Sequence, residues 1–123
     1  MDFTVSTSVV DGVAFAAIAG EADISTAPDV KRALAGLVDG GATRLVVDLS
    51  DATFVDSTTL GVLMGAARRV RAQQGDLAIV CRDPNIRKIF EITLLDRILD
   101  IHESAADAVT GFDEAGTGSS TES

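Results

Sequence analysis

A single cysteine, Cys81, and a single histidine, His102, serve the whole chain of 123 residues. One cysteine cannot close an internal disulfide, which excludes a disulfide scaffold and fits a reducing compartment. Cys81 ends the apolar run Leu77–Cys81 and is expected as a small core residue. His102 has no triad or metal constellation around it, and no group of Cys and His residues has metal-ligand spacing. No apolar run approaches the roughly 18–20 residues that cross a bilayer. No basic segment followed by an apolar one opens the chain, so no signal peptide is expected. These absences predict a soluble, cytoplasmic protein with no membrane contact.

Two motifs are missing as well. Without G-x-x-x-x-G-K-[ST] there is no phosphate-cradling P-loop, and without G-x-S-x-G no nucleophile elbow. Positive charge is scarce: 10 Lys and Arg stand against 19 Asp and Glu, a net charge of −9. Phosphate backbones repel such a chain, so no direct nucleic-acid partner is expected. The chain is read as a non-enzyme, with no catalytic residue, no metal and no cofactor.

What is present suits one domain. Hydrophobic residues make up 46% of the chain, enough for a core. Residues 3–10 and 13–20 read as two strands, and Asp11-Gly12 between them is a hairpin turn signal. Residues 26–38 read as a helix, with Val30, Ala33, Leu34, Leu37 and Val38 on one face. Thr26 and Asp29 resemble a capping box, and Pro28 sits in the first turn. Arg44–Ser50 is a strand. A helix follows from near Ser57 to about Gln74, with Leu60, Leu63, Met64, Ala67, Val70 and the aliphatic stem of Arg71 facing inward. Gly61 and Gly65 lie one turn apart in it. Each costs about 1 kcal/mol in a helix, so close backbone packing is expected, against the sheet before a partner. Asp76–Cys81 is a buried strand, and Asp83-Pro84 starts a short helix. Arg97–Ile101 is a last strand, and Ser104 with Asp107 caps a helix to about Phe112.

The order β-β-α-β-α-β-α-β-α predicts an α/β fold. It is a single-layer mixed sheet of about five strands with about four helices and right-handed crossovers. Residues 1–112 form the domain. The acidic Ser/Thr/Gly tail, 113–123, lacks apolar anchors and is expected to be disordered.

Candidate chemistry centres on two places. Asp48 lies near a strand end, where open α/β sheets bind ligands. A phosphoryl-accepting aspartate would also need an acidic pair after the first strand and a lysine at a later strand end, and neither is present. Asp56-Ser57 lies where a strand meets a helix N-terminus. Unpaired first-turn N–H groups and the helix dipole favour negative charge there. Asp56 or Ser57 then either caps the helix, or Ser57 is exposed and accepts a phosphoryl group. A third option is a nucleotide- or anion-binding site at the same terminus.

The order and spacing of several motifs carry a resemblance. They are D-L-S-x-x-x-F-x-D-S (Asp48–Ser57), L-G-x-L (Leu60–Leu63), P-N-I-R-K-I-F-E (Pro84–Glu91) and L-D-R-I-L-D-I (Leu95–Ile101). Together with Gly20–Leu34 they resemble the STAS domain, in particular the small bacterial anti-sigma factor antagonists. The resemblance implies partner switching. The unmodified protein binds an anti-sigma factor, often itself a serine kinase, and so frees a sigma factor. Phosphorylation of the serine after the aspartate, here Ser57, ends binding, and a phosphatase restores it. Thr58 and Thr59 are lesser acceptor candidates. Asp23 matches the family's acidic loop residue, and the implied partner surface comprises Asp23, Ser25, Thr26, Asp56, Ser57, Thr58, Thr59, Gly61 and Met64. The family often reads D-S-[ST]-G-L-G. Thr59 stands where that glycine is usual, and is expected to add bulk where a partner approaches.

Overall fold

The computed structural model describes residues 3–122, with side chains as far as Asp113. Its elements are β1 (Thr4–Val10), β2 (Val13–Ala22), α1 (Ala27–Asp39), β3 (Arg44–Val55), α2 (Ser57–Ala72), β4 (Asp76–Val80), α3 (Pro84–Ile92), β5 (Asp100–His102) and α4 (Ala105–Glu122), with a short 3-10 turn at Leu95–Arg97. The five strands lie in sequence order across one sheet. β1 and β2 are antiparallel, and every later neighbour pair is parallel. The mixed α/β sheet and its element order are those expected from the sequence.

Local chemistry explains most boundaries. Asp11 and Gly12 both adopt positive φ, as a two-residue hairpin turn demands. Asp83 caps α3 by accepting the Asn85 N–H at 2.8 Å, and Pro84 supplies the first turn. The Ser104 hydroxyl accepts the Asp107 N–H at 3.1 Å. One expectation fails: Thr26 precedes α1 but its side chain does not cap it. The Thr26 hydroxyl instead donates to the Glu21 carbonyl, and Asp29 pairs with Arg32 on the surface.

Each strand–helix–strand unit steps the same way across the sheet. Right-handed crossovers therefore place α1, α2 and α3 on one face. Leu45, Val47 and Leu49 of β3 join Val30, Leu34, Leu63, Val70, Ile86 and Phe90 in the main core there. The alternate residue Val46 points to the other face, where Val13, Ala78, Val80 and Ala108 form a smaller core under α4. Cys81 is buried in the main core, and burial pushes its thiol up from the ordinary value.

Several boundaries differ from the sequence reading, α4 among them. β3 extends to Val55 rather than Ser50, because Asp51–Val55 pairs with the far end of β2 across two register irregularities. The last strand shortens to Asp100–His102, since Leu94 turns left-handed at φ 62° and starts the 3-10 turn. Asp113, assigned to the tail, contacts Arg44 at 3.3 Å. Beyond it, the disorder expected of 113–123 lies outside the described side chains.

Candidate functional site

The extension of β2 and β3 past β4 builds the site. β4 pairs with β3 only as far as Asp48↔Val80, whereas β2 and β3 continue to Ala22↔Val55. The strand end is therefore at Asp56 and not at Asp48, which sits mid-strand with its carboxylate accepting the Ser50 N–H at 2.9 Å. The projecting pair carries two segments at its tip: the loop 23–26 after β2, and the start of α2 after β3.

The Ala22 carbonyl ties the two together. It accepts the Asp56 N–H at 3.1 Å and the Thr59 hydroxyl at 3.0 Å. Asp56 is the N-cap, and its carboxylate accepts the Thr59 N–H at 2.9 Å. The Leu60 N–H goes to the Asp56 carbonyl. The cap and Thr59 are thus occupied with structure. Ser57 and Thr58 are exposed, and as the first two helical residues their N–H groups have no intrahelical acceptor. Capping and exposure coexist here, because Asp56 performs the first and Ser57 has the second.

Thr59 departs from expectation. It is fully buried, the one polar residue so placed among the described residues. Its side chain turns inward to Ala22, so it adds no bulk to the outer surface and offers no hydroxyl to a kinase. A tertiary acceptor, invisible in the sequence, decides its direction.

The loop before α1 is wound around Asp23. Its carboxylate accepts the Ser25 hydroxyl at 2.6 Å, the Ser25 N–H at 2.9 Å and the Thr26 N–H at 3.2 Å. The Ser25 hydroxyl bond, opposed by some desolvation and reinforced by the two N–H groups, holds the Asp23 carboxyl below its ordinary value. Asp23, Ser25 and Thr26 therefore form one turn beside α2. Ile24 at its tip is 72% exposed, and Phe54 near the end of β3 is 47% exposed. Phe54 is the aromatic of the D-L-S-x-x-x-F-x-D-S motif, whereas Ile24 escaped the sequence reading. The signal was there in Ile24, an isolated apolar residue in the polar run Asp23–Thr26.

Gly61 and Gly65 also depart from expectation. A Cβ on either would meet nothing within 4 Å, so neither is there for packing against the sheet. They line an apolar cleft of about 480 Å³ between α1 and α2, with Leu34, Val38 and Val62, and with Thr58 at its Ser57 end. Lys31 and Arg69 sit on its rim, Arg69 paired with Asp39. Met64 is half-buried against the main core and lies outside the cleft. Among the described residues no acidic, His or Cys group has the arrangement of a metal site, and no helix is long and apolar enough to cross a membrane.

A sequence model of the STAS domain matches residues 4–108. The chain belongs to the STAS domain family. A relative of this STAS protein, the anti-sigma-B factor antagonist of Listeria monocytogenes, is 38% identical over 84 residues, covering 68% of this chain and 74% of the relative. The crystal structure of an anti-sigma factor antagonist from Mycobacterium paratuberculosis superposes with a TM-score of 0.86 at 28% identity, over 91% of this chain and 95% of that one. The Bacillus cell fate determinant SpoIIAA in its phosphorylated form shares the fold, with a TM-score of 0.67 at 20% identity, over 89% of this chain and 97% of that one.

Proposed function

We propose that this STAS protein is an anti-sigma factor antagonist. It binds an anti-sigma factor that is itself a serine kinase, releases a sigma factor, and is switched off by phosphorylation of Ser57. The observation that carries this reading is the division of labour at the α2 N-terminus. Asp56 caps the helix, Thr59 locks it to Ala22, and Ser57 is left exposed. The names of the relatives supply the partner class.

The physics of the switch is local. A phosphoryl group on Ser57 adds about −1.5 to −2 charges. The open N–H groups of the first turn and the helix dipole favour that charge, so the domain keeps its fold. A partner seated on the rim meets a dianion beside Asp56 and the Asp23 turn. A loss of about 3–4 kcal/mol lowers affinity about 10²–10³-fold. A phosphatase acting on phospho-Ser57 resets the surface. The rim formed by Asp23–Thr26, Ser57, Thr58 and the open cleft at Gly61 is the proposed docking surface.

The test pairs mass with binding. Incubated with the partner kinase and ATP, the wild type gains one phosphate and Ser57→Ala gains none. Ser57→Ala binds the anti-sigma factor as the wild type does, and Ser57→Glu binds it at least about 10-fold more weakly. Phosphate on Ser57→Ala would show the acceptor to be another residue. Binding by Ser57→Glu and by phosphorylated wild type as tight as that of the unmodified protein would end the switch.

A further inference from the structure

The outer edge of β1 is bare. Its seven residues, Thr4–Val10, carry no charge and no proline, and they pair with β2 without a register break. Natural edge strands are usually blunted by charge, proline or a bulge. Among the described residues the sheet has no strand beyond β1. At its hairpin end Val9 is 66% and Val10 55% exposed.

The strand is also nearly a palindrome. Read outward from Thr7, it has Ser6 and Ser8, then Val5 and Val9, then Thr4 and Val10. A two-fold contact needs one surface complementary to itself, and an antiparallel strand pair centred on Thr7 supplies it. We infer that β1 is a self-association edge, pairing antiparallel with β1 of a second copy about a two-fold axis at Thr7.

The backbone supports this register. Val10 and Val13 flank the two-residue turn, so they exchange hydrogen bonds, and so do the pairs of Ser8, Ser6 and Thr4 with β2. The N–H and C=O groups of Val5, Thr7 and Val9 then point away from β2. These are the residues the two-fold register places opposite one another: Thr7 with the second copy's Thr7, and Val5 with its Val9. The side chains agree. Val5 packs against the main core, and Val9 lines a hollow with Leu37 and Ala42 on that same face. Each Val5–Val9 pair is then a β-branched cross-strand contact on the helix-bearing face. The second copy is preferred to a foreign strand because the palindrome serves only a partner with the same sequence.

One strand edge falls below the roughly 1,200 Å² of stable interfaces, so the dimer is weak, with half-association between about 10 µM and 1 mM. Sedimentation equilibrium over that range is expected to show the mass rising above the 12.7 kDa of one chain. Thr7→Lys sets like charges opposite each other at the axis and weakens association at least about 10-fold, with an unchanged circular dichroism spectrum. Under mild oxidation Thr7→Cys forms a covalent dimer, since opposed hydrogen-bonded residues lie about 5.5 Å apart. Thr4→Cys does not, its counterpart lying at the far end of the paired strand. The native thiol, Cys81, is buried and does not compete. A chain that stays at 12.7 kDa up to about 1 mM overturns the proposal. So does a dimer that Thr7→Lys leaves intact, or equal cross-linking of Thr7→Cys and Thr4→Cys.

Discussion

Thr59 is the buried polar residue of the site, and its replacement gives a graded prediction. Thr59→Val keeps the shape and removes the hydroxyl donated to Ala22 at 3.0 Å. The Ala22 carbonyl retains the Asp56 N–H at 3.1 Å, so no buried acceptor is orphaned. The cost is then that of one ordinary hydrogen bond, about 0.5–1.5 kcal/mol. Thr59→Ala also removes a fully buried methyl group and leaves a small void, for a total of about 2–3 kcal/mol. Thr59→Gly adds up to about 1 kcal/mol of helix propensity. Stability should fall in the order Thr, Val, Ala, Gly, with the melting temperature dropping about 3–6 °C per kcal/mol. The chain has no Trp and no Tyr, so urea unfolding is followed by far-UV circular dichroism. The midpoint should move while the slope stays constant. Were the Thr59 side chain facing solvent, Val and Ala would each lie within about 0.5 kcal/mol of wild type. That result would refute the inward bond to Ala22 and return Thr59 to the partner surface.

Two further predictions concern the turn and the glycines. Ser25→Ala removes the strongest bond to the Asp23 carboxylate, and its titration midpoint, read from carboxyl carbon shifts, should rise toward the ordinary value of 3.8. The folded-state value is depressed in the wild type, so the stabilisation is complete above the ordinary value and lost as pH falls through the depressed one. Wild type and Ser25→Ala should therefore converge in stability at the acid end; a midpoint unmoved by the substitution would contradict the turn geometry. Gly61→Ala and Gly65→Ala should each raise stability, by up to about 1 kcal/mol, since the new methyl meets open space. Gly75→Ala should lower it by at least about 2 kcal/mol, because its methyl would collide with the Thr43 carbonyl oxygen. Thermal unfolding of all three decides, and a destabilised Gly61→Ala would mean that the cleft is filled.

Much of the fold was legible because its signals are local. Asp11-Gly12 declares a turn through its tolerance of positive φ, and Asp83-Pro84 declares a helix start by a side-chain acceptor and a preset φ. The 3.6-residue spacing of Val30, Leu34 and Val38 announced the buried face of α1. Asp51–Val55 gave no such signal. The strand read from the sequence stops at Ser50, and pairing with the end of β2 carries it on to Val55. Thr26 shows the converse: its residue type suits a cap, but Glu21 and Asp23 supply better-placed partners.

The candidate site divides in the same way. The place of Ser57 at a strand–helix junction follows from residue types and their order, whereas the choice of Asp56 over Ser57 as the cap does not. Nor do the roles of its other neighbours. Thr59 points inward because the Ala22 carbonyl, distant in sequence, is the acceptor within reach. Gly61 and Gly65 border an open cleft because α1 stands where it leaves one. Element order, the Asp11-Gly12 turn and the Asp83 cap depend on a few adjacent residues, so the chain determined them unaided. Which hydroxyl faces solvent and which is spent on the core depends on contacts between remote segments, and those exist only once β2, β3 and α2 have come together.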